Sequence, residues 1–357
     1  MLADLVPPDV YGVMPDWLLW LFLAIALRFL AFGADRLVQG AVRLASVLGI
    51  STIVIGATVV SLGTTTPEAF VSVSAAFRGK PGLALGNGVG SIICDTALIF
   101  GLVVLIGRVP HDRFVLYRQG VMKLVVVALL IALVFAVAIA GGGIAGATIP
   151  RAAGVGLLVL LAAYMVLSVR WSRHKPEALA AGPEVAAEGD SAAAEHKGGV
   201  AVWDLLILVE GLAIVYVTSD LLIGSVSNLC IRYGVPPDVL AVTVVAFGTS
   251  LPELVTCVTA VLKGHGELAV GNVIGADILN VLFVVGASAA AVPLAVPDTF
   301  FYIHLPVMAV SVGLMGVYIF TTRGTFRRWQ GVPLLAVFAA YYVILFVLVG
   351  QGVIKLQ

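Results

Sequence analysis

The chain has 357 residues, of which 61% are hydrophobic and 11% charged, and its mean hydropathy is +1.12. Soluble domains carry roughly a quarter charged residues. The composition therefore excludes a soluble globular domain and an intrinsically disordered chain. Twenty basic residues balance twenty acidic ones, which excludes a nucleic-acid protein acting through bulk positive charge, and 3 Cys are too few for a disulfide scaffold.

In chain order, apolar runs predict ten membrane spans, near 15–38, 48–77, 82–106, 118–141, 151–169, 202–229, 237–262, 267–291, 300–320 and 331–350. About 20 apolar residues are enough to cross the hydrocarbon. The runs do not alternate with period two, so they do not read as barrel strands. The first run is preceded by Asp4, Asp9 and Asp16 and by no Lys or Arg, so it reads as a span and not as a signal peptide. The stretch 170–200 is rich in Ala, Gly, Glu and Pro without a sustained apolar face, and is expected to be a flexible linker. It divides the chain into 1–169, with five spans, and 201–357, with five more.

The two parts are related. Residues 58–101 align without gaps onto 243–286 at an offset of 185, with 17 of the 44 positions identical. The identities include Gly63/Gly248, Thr64/Thr249, Pro67/Pro252, Glu68/Glu253, Gly86/Gly271, Asn87/Asn272 and Gly90/Gly275. Five spans per half is an odd number, so the second half must enter the membrane from the opposite side. The predicted fold is an all-α polytopic membrane protein of ten transmembrane helices, arranged as two inverted five-helix repeats. Secondary transporters use that plan, with the site near the midplane where the repeats meet. Thirteen Lys and Arg, Arg43 and Lys123 among them, fall on the side of the linker, against five on the other. By the positive-inside rule the linker is cytoplasmic and both termini are outside.

The chemistry lies inside the repeats. The second span carries SLGTTTPEAF (61–70) and the seventh AFGTSLPELV (246–255). A proline has no N–H, so Pro67 leaves the Gly63 carbonyl free and Pro252 that of Gly248. Distortion nearby exposes the carbonyls of Thr64 and Thr249. Each Thr precedes its Glu by four residues, which puts the two on one helix face. A mid-span glutamate is costly unless it is paired or metal-bound, and a divalent cation would neutralise Glu68 and Glu253 together. Oxygen ligands of this kind suit a hard ion such as Ca²⁺. The dispersed Cys94, Cys230 and Cys257 and the lone His304 make no zinc site. The third span carries GNGVGSIICDTALIFG (86–101) and the eighth GNVIGADILNVLFVVG (271–286). Ser91 and Asp95 share a face, with Ala276 and Asn280 in the matching places. The glycines form small-xxx-small surfaces for close helix approach, and Asn87 and Asn272 are placed to hydrogen-bond across to the distorted segments. Among the other embedded charges, Asp35 and Asp220 are expected to cap or anchor, and Arg36 to pair with Asp35. Asp277 points away from Asn280 toward a partner on another helix or lipid.

These motifs resemble the alpha repeats of the cation/calcium exchanger superfamily, in particular its prokaryotic sodium/calcium exchangers, and the resemblance covers nearly the whole chain. It implies a central divalent site flanked by Na⁺ sites. The central ligands would be Glu68 and Glu253 with the Thr64 and Thr249 carbonyls. Hydroxyls fall on Thr65 and Ser250, further carbonyls on Ser61 and Ala246, and the third- and eighth-span positions on Ser91, Asp95, Ala276 and Asn280. Two departures stand out. Many bacterial relatives place Asn in the first repeat and Asp in the second, whereas here Asp95 comes first and Asn280 second. Ala276 also lacks the hydroxyl that Ser91 supplies.

The function expected is exchange of Ca²⁺ for Na⁺ by alternating access, with the first and sixth spans sliding against the remainder. The alternatives are a proton- or K⁺-coupled exchanger of Ca²⁺, Mn²⁺ or Mg²⁺ and, in other classes, a cation channel or a non-transporting structural membrane protein. No catalytic constellation and no cofactor is expected. The expected partners are inorganic cations and the lipid bilayer of a prokaryotic inner membrane, without nucleic acid; a monomer is compatible with the sequence, which does not fix the oligomeric state.

Overall fold

The computed structural model describes residues 8–111, 115–173, 202–233 and 248–350. Most of the linker, Ala246 and the first part of the seventh span lie outside the described residues. The long helices are α1 (Asp16–Leu48), α2 (Thr52–Phe77), α3 (Pro81–Ile106), α4 (Val115–Ala140) and α5 (Arg151–Arg173). After the linker come α6 (Val202–Arg232), α7 (Leu251–Leu262), α8 (Gly266–Ala291), α9 (Phe300–Thr321) and α10 (Gly331–Gly350). Among the described residues nine helices are long and apolar enough to cross a membrane, and α7 is a shorter apolar helix.

The helix boundaries follow from local chemistry. At the end of α2, Gly79 adopts φ 72° and the Lys80 amide bonds back to the Ala75 carbonyl at 2.9 Å. At the end of α7, Gly264 adopts φ 83° and the His265 amide bonds to the Ala260 carbonyl at 2.8 Å. Only glycine takes that backbone at little cost, and the two turns are 185 residues apart. The same spacing appears inside the next helices. In α3 a π-helical stretch, Cys94–Phe100, separates two α-helical parts; in α8 the stretch is Asn280–Val285.

α8 is the most enclosed long helix, and α2 and α3 pack against it with most of their surface buried. The buried polar side chains concentrate on α2, α3, α7 and α8. Large apolar side chains on α1, α4, α5, α6 and α10 point outward instead, as helices facing lipid should. Two short antiparallel ribbons tie loops together: β1 (Pro110–His111) with β4 (Gly324–Thr325), and β2 (Thr148–Ile149) with β3 (Leu294–Ala295).

α1 and α6 form a long antiparallel pair. Contacts run in opposite order along the two chains: Arg232 binds Asp16 at 2.5 Å, Gly33 meets Ile214, Arg36 binds Glu210 at 3.1 Å and Arg43 approaches Asp204 at 4.0 Å. Three expectations are corrected here. The first span does not end at 38, because neither a proline nor a glycine of positive φ interrupts the helix before Gly49. The 33-residue helix is about 50 Å long, longer than the hydrocarbon is thick, and Arg43 belongs to it. Arg36 pairs with Glu210 and not with Asp35, which accepts from Gln39 at 2.8 Å and forms an ion pair with Lys263. Lys123, assigned by sequence to the basic flank, is fully buried within α4.

Glycines make one close backbone approach where α8 crosses α2. A Cβ on Gly56 would sit 2.5 Å from the Leu268 carbonyl oxygen and 2.9 Å from the Asn272 nitrogen. Backbone cannot yield there, so Gly56→Ala should cost about 1–3 kcal/mol, read as a lowered thermal midpoint in detergent. Gly313→Ala, on the exposed face of α9 with open space around the added methyl, should not lower the midpoint.

Candidate ion-transport site

The four enclosed helices bring the motif residues together at the centre of the bundle. α2 contributes Ser61, Thr64, Thr65 and Glu68, and α3 contributes Ser91 and Asp95. Ser250 precedes α7, Glu253 lies in its first turn, and Asn280 opens the π-helical stretch of α8. All of these side chains are at most 2% exposed. Thr249, in the turn before α7, is part-buried. Ala246 lies outside the described residues.

Direct bonds connect the helices. The Thr65 hydroxyl donates to Glu253 Oε1 at 3.3 Å, joining α2 to α7. The Asn280 amide donates to Asp95 Oδ2 at 3.3 Å, joining α8 to α3. The Ser250 hydroxyl lies 3.5 Å from that of Ser91. Asn87 donates to the Glu68 carbonyl at 3.2 Å and to Ser72 Oγ at 2.9 Å, and accepts from Thr249 Oγ1 at 3.2 Å. Asn272 acts the same way in the other half. It donates to Cys257 Sγ at 3.3 Å and accepts from Ser61 Oγ at 3.2 Å. Cys257 stands 185 residues after Ser72, so each Asn uses its NH₂ within its own half and its carbonyl across to the other.

The two proline segments differ in shape. Pro67 lies inside a continuous helix, Ser61–Phe77, and the distortion comes a turn earlier, in the π-helical stretch Gly56–Val60. There the hydroxyl of Tyr164 reaches the Ala57 carbonyl at 3.1 Å, and Ser61 Oγ bonds the Gly56 carbonyl at 2.6 Å. Thr66 adds its hydroxyl to the Leu62 carbonyl at 2.5 Å, beside the gap that the proline leaves. Position 251 holds Leu, which has no hydroxyl to give. In that half Thr249 and Ser250 form a turn, and α7 starts anew with Pro252 in its first turn. The positive dipole end of this helix N-terminus thus falls beside Glu253.

Four oxygens decide what the site can do. Glu68 Oε2, Glu253 Oε2, Asp95 Oδ1 and Asn280 Oδ1 are buried without a hydrogen-bond partner among the described residues. Glu68, Glu253 and Asp95 are also close enough to repel one another when ionised. Among the described residues no group of three or more His, Cys, Asp or Glu has the geometry of a resident metal centre. The donors are instead carboxylates, an amide, hydroxyls and backbone carbonyls, a set suited to hard cations as cargo.

Sequence reasoning missed one feature. Asp277 has a partner on another helix, and that partner is Lys123. The anomaly visible in the sequence was an Asp in α8 whose counterpart in the first half is Ile92. Its partner lies 154 residues away, which no local pattern indicates.

An apolar helical bundle enclosing unsatisfied acidic groups defines an integral membrane cation carrier. Comparison with known proteins specifies which kind. Residues 18–170 and 203–347 match the family described as sodium/calcium exchanger protein. The putative antiporter CaxA of Alkalimonas amylolytica is 31% identical over 278 residues, covering 76% of this chain and 81% of its own. The sodium/calcium exchanger MaX1 of Methanosarcina acetivorans is 29% identical over 344 residues, covering 92% and 98%. A solved structure of the sodium–calcium exchanger NCX_Mj, soaked with Na⁺ and Sr²⁺, superimposes with a TM-score of 0.73 at 25% identity, covering 91% and 98%. The chain belongs to the sodium/calcium exchanger family. It is a secondary active antiporter of sodium and calcium ions, not an enzyme.

A site that lacks only a cation should be stabilised by one. At 100 times its dissociation constant, Ca²⁺ should add about 2.7 kcal/mol to the stability of the purified protein, measured as a raised thermal midpoint. Glu68→Gln should remove that response.

Proposed function

We propose that one Ca²⁺ is held centrally by Glu68 and Glu253 with the carbonyls of Thr64 and Thr249, and that Na⁺ competes for the same charges. Thr65, Ser250, Ser61, Ala246, Ser91, Asp95 and Asn280 complete the set of oxygens around it, Ala246 through its carbonyl. The observation that carries this reading is the group of four buried, unpartnered oxygens on Glu68, Glu253, Asp95 and Asn280. A buried acceptor with no donor is costly, and a cation removes that cost at all of them together.

The architecture proposed is two inverted five-helix repeats, 1–169 and 201–357, joined by a cytoplasmic linker, with both termini outside. Its support is geometric. The antiparallel course of α1 and α6 is what inversion requires of the first helix in each half. The glycine turns, the π-helical stretches and the Asn bridges recur at the offset of 185. The two ribbons each join a loop of one half to a loop of the other, β1 with β4 and β2 with β3.

Transport then follows from electrostatics. Ca²⁺, or Na⁺ in its absence, neutralises the carboxylates, and the loaded site can pass through an occluded state. An empty site would carry uncompensated charge into a dry core, so it stays open to one side. That coupling makes the exchange obligatory. α1 and α6 contact each other along their length and are the elements proposed to slide across the enclosed four. A second reading, proton coupling, is favoured by Ala276. It is fully buried and offers no hydroxyl where Ser91 has one, so one flanking Na⁺ place is the poorer.

Reconstituted vesicles test the assignment. ⁴⁵Ca²⁺ uptake should be driven by an outward Na⁺ gradient and should fall to background in Glu68→Gln and in Glu253→Gln. Uptake driven equally by H⁺ or K⁺ gradients would move the coupling ion to the second reading. Wild-type flux in both variants would remove the central site. A cysteine placed in the linker should react with an impermeant maleimide only from the cytoplasmic side; labelling from outside would reverse the topology.

A further inference from the structure

Behind Asp95 lies a buried ion pair that the ion site itself does not use. Lys123 on α4 contacts Asp277 on α8, with the two side chains 2% and 0% exposed. Among the described residues Lys123 is the one fully buried Lys or Arg. Its ammonium also donates to Thr96 Oγ1 at 2.8 Å and approaches Met315 Sδ at 2.9 Å. The Thr96 hydroxyl in turn donates to Asp277 Oδ2 at 2.6 Å. Thr96 follows Asp95 directly, inside the π-helical stretch of α3. Asp277 lies one turn before Asn280, which donates to Asp95 Oδ2. Asp95 is therefore held from two sides, through Thr96 on its own helix and through Asn280 on α8, and both connections lead to the same ion pair.

The pair is not part of the repeat. At the offset of 185, Lys123 corresponds to Met308, Thr96 to Val281 and Asp277 to Ile92, all apolar. The half that carries Asp at the ion site has this support behind it, and the half that carries Asn does not.

We propose that Lys123, with Asp277 and Thr96, is a positioning residue for Asp95. It fixes the π-helical turn that presents the Asp95 carboxylate to cations, and it holds Asp277 as a permanent ion pair outside the transported charge. The inference rests on the reading of Asp95 as a cation ligand. Groups that orient a ligand in this way commonly change its affinity for the cation without touching it.

The test is a double-mutant cycle in reconstituted vesicles. The readout is the Na⁺ concentration that gives half-maximal Ca²⁺ flux. Lys123→Met with Asp277→Asn removes both charges together, so it leaves no lone buried ion and no change in net charge. Thr96→Val, nearly the same shape, cuts the link alone and serves if the neutral pair does not fold. Each should raise the half-maximal Na⁺ concentration about tenfold in the chain that keeps Asp95, and should add nothing in Asp95→Asn. A merely structural pair would lower the maximal flux and would act equally in both backgrounds; that additive result overturns the proposal. So does an unchanged Na⁺ dependence in folded Thr96→Val. The ligand reading fails separately, and takes the positioning role with it, if Asp95→Asn alone leaves the Na⁺ dependence unmoved.

Discussion

Everything central in this protein depends on the cost of ionised carboxylates in a medium that cannot solvate them. Insertion scales place a single acidic residue at mid-membrane at about 2.5–3.5 kcal/mol. The core of this bundle holds Glu68, Asp95, Glu253 and Asp277, each at most 2% exposed. One of them is answered by Lys123. All four keep an oxygen that nothing in the described chain satisfies, and of the four Asp277 alone forms an ion pair among the described residues. A protein built that way is incomplete without mobile cations, and an antiporter converts the incompleteness into coupling.

The surrounding structure serves that constraint. Backbone distortions, normally avoided in hydrocarbon, are placed where hydroxyls can satisfy them: Tyr164 on Ala57 and Ser61 on Gly56. Glycines let α8 approach α2 closely, so that backbone and short side chains from both halves can surround one volume. The outer helices turn large apolar side chains outward and keep their polar contacts for neighbouring helices. The paired α1 and α6 meet each other through small residues and ion pairs.

Much of this was legible in the sequence, because rare residues kept their spacing. Pro, Glu and Asn in register across 185 residues mark both the repeat and the acidic centre. Hydropathy located the nine helices that, among the described residues, are long and apolar enough to cross a membrane, since such a run has few other uses. What escaped has physical reasons. The π-helical stretches arise from packing and leave no periodic trace. The length of α1 was underestimated because Asp35, Arg36 and Arg43 lower its hydropathy, while their partners Lys263, Glu210 and Asp204 sit on other helices. Lys123 read as a flanking basic residue because a charge near a span end ordinarily faces water. Its burial is matched by the charge of Asp277, an interaction between distant parts of the chain.

The central claim is that the empty, charged site does not cross the membrane. It is tested most directly by Ca²⁺ efflux from preloaded vesicles into alkaline medium containing neither Na⁺ nor Ca²⁺. No efflux above that of protein-free vesicles is expected, with release beginning when either ion is added outside. Sustained efflux into the ion-free medium would contradict the account, because it would mean that the unloaded carboxylates return across the core uncompensated.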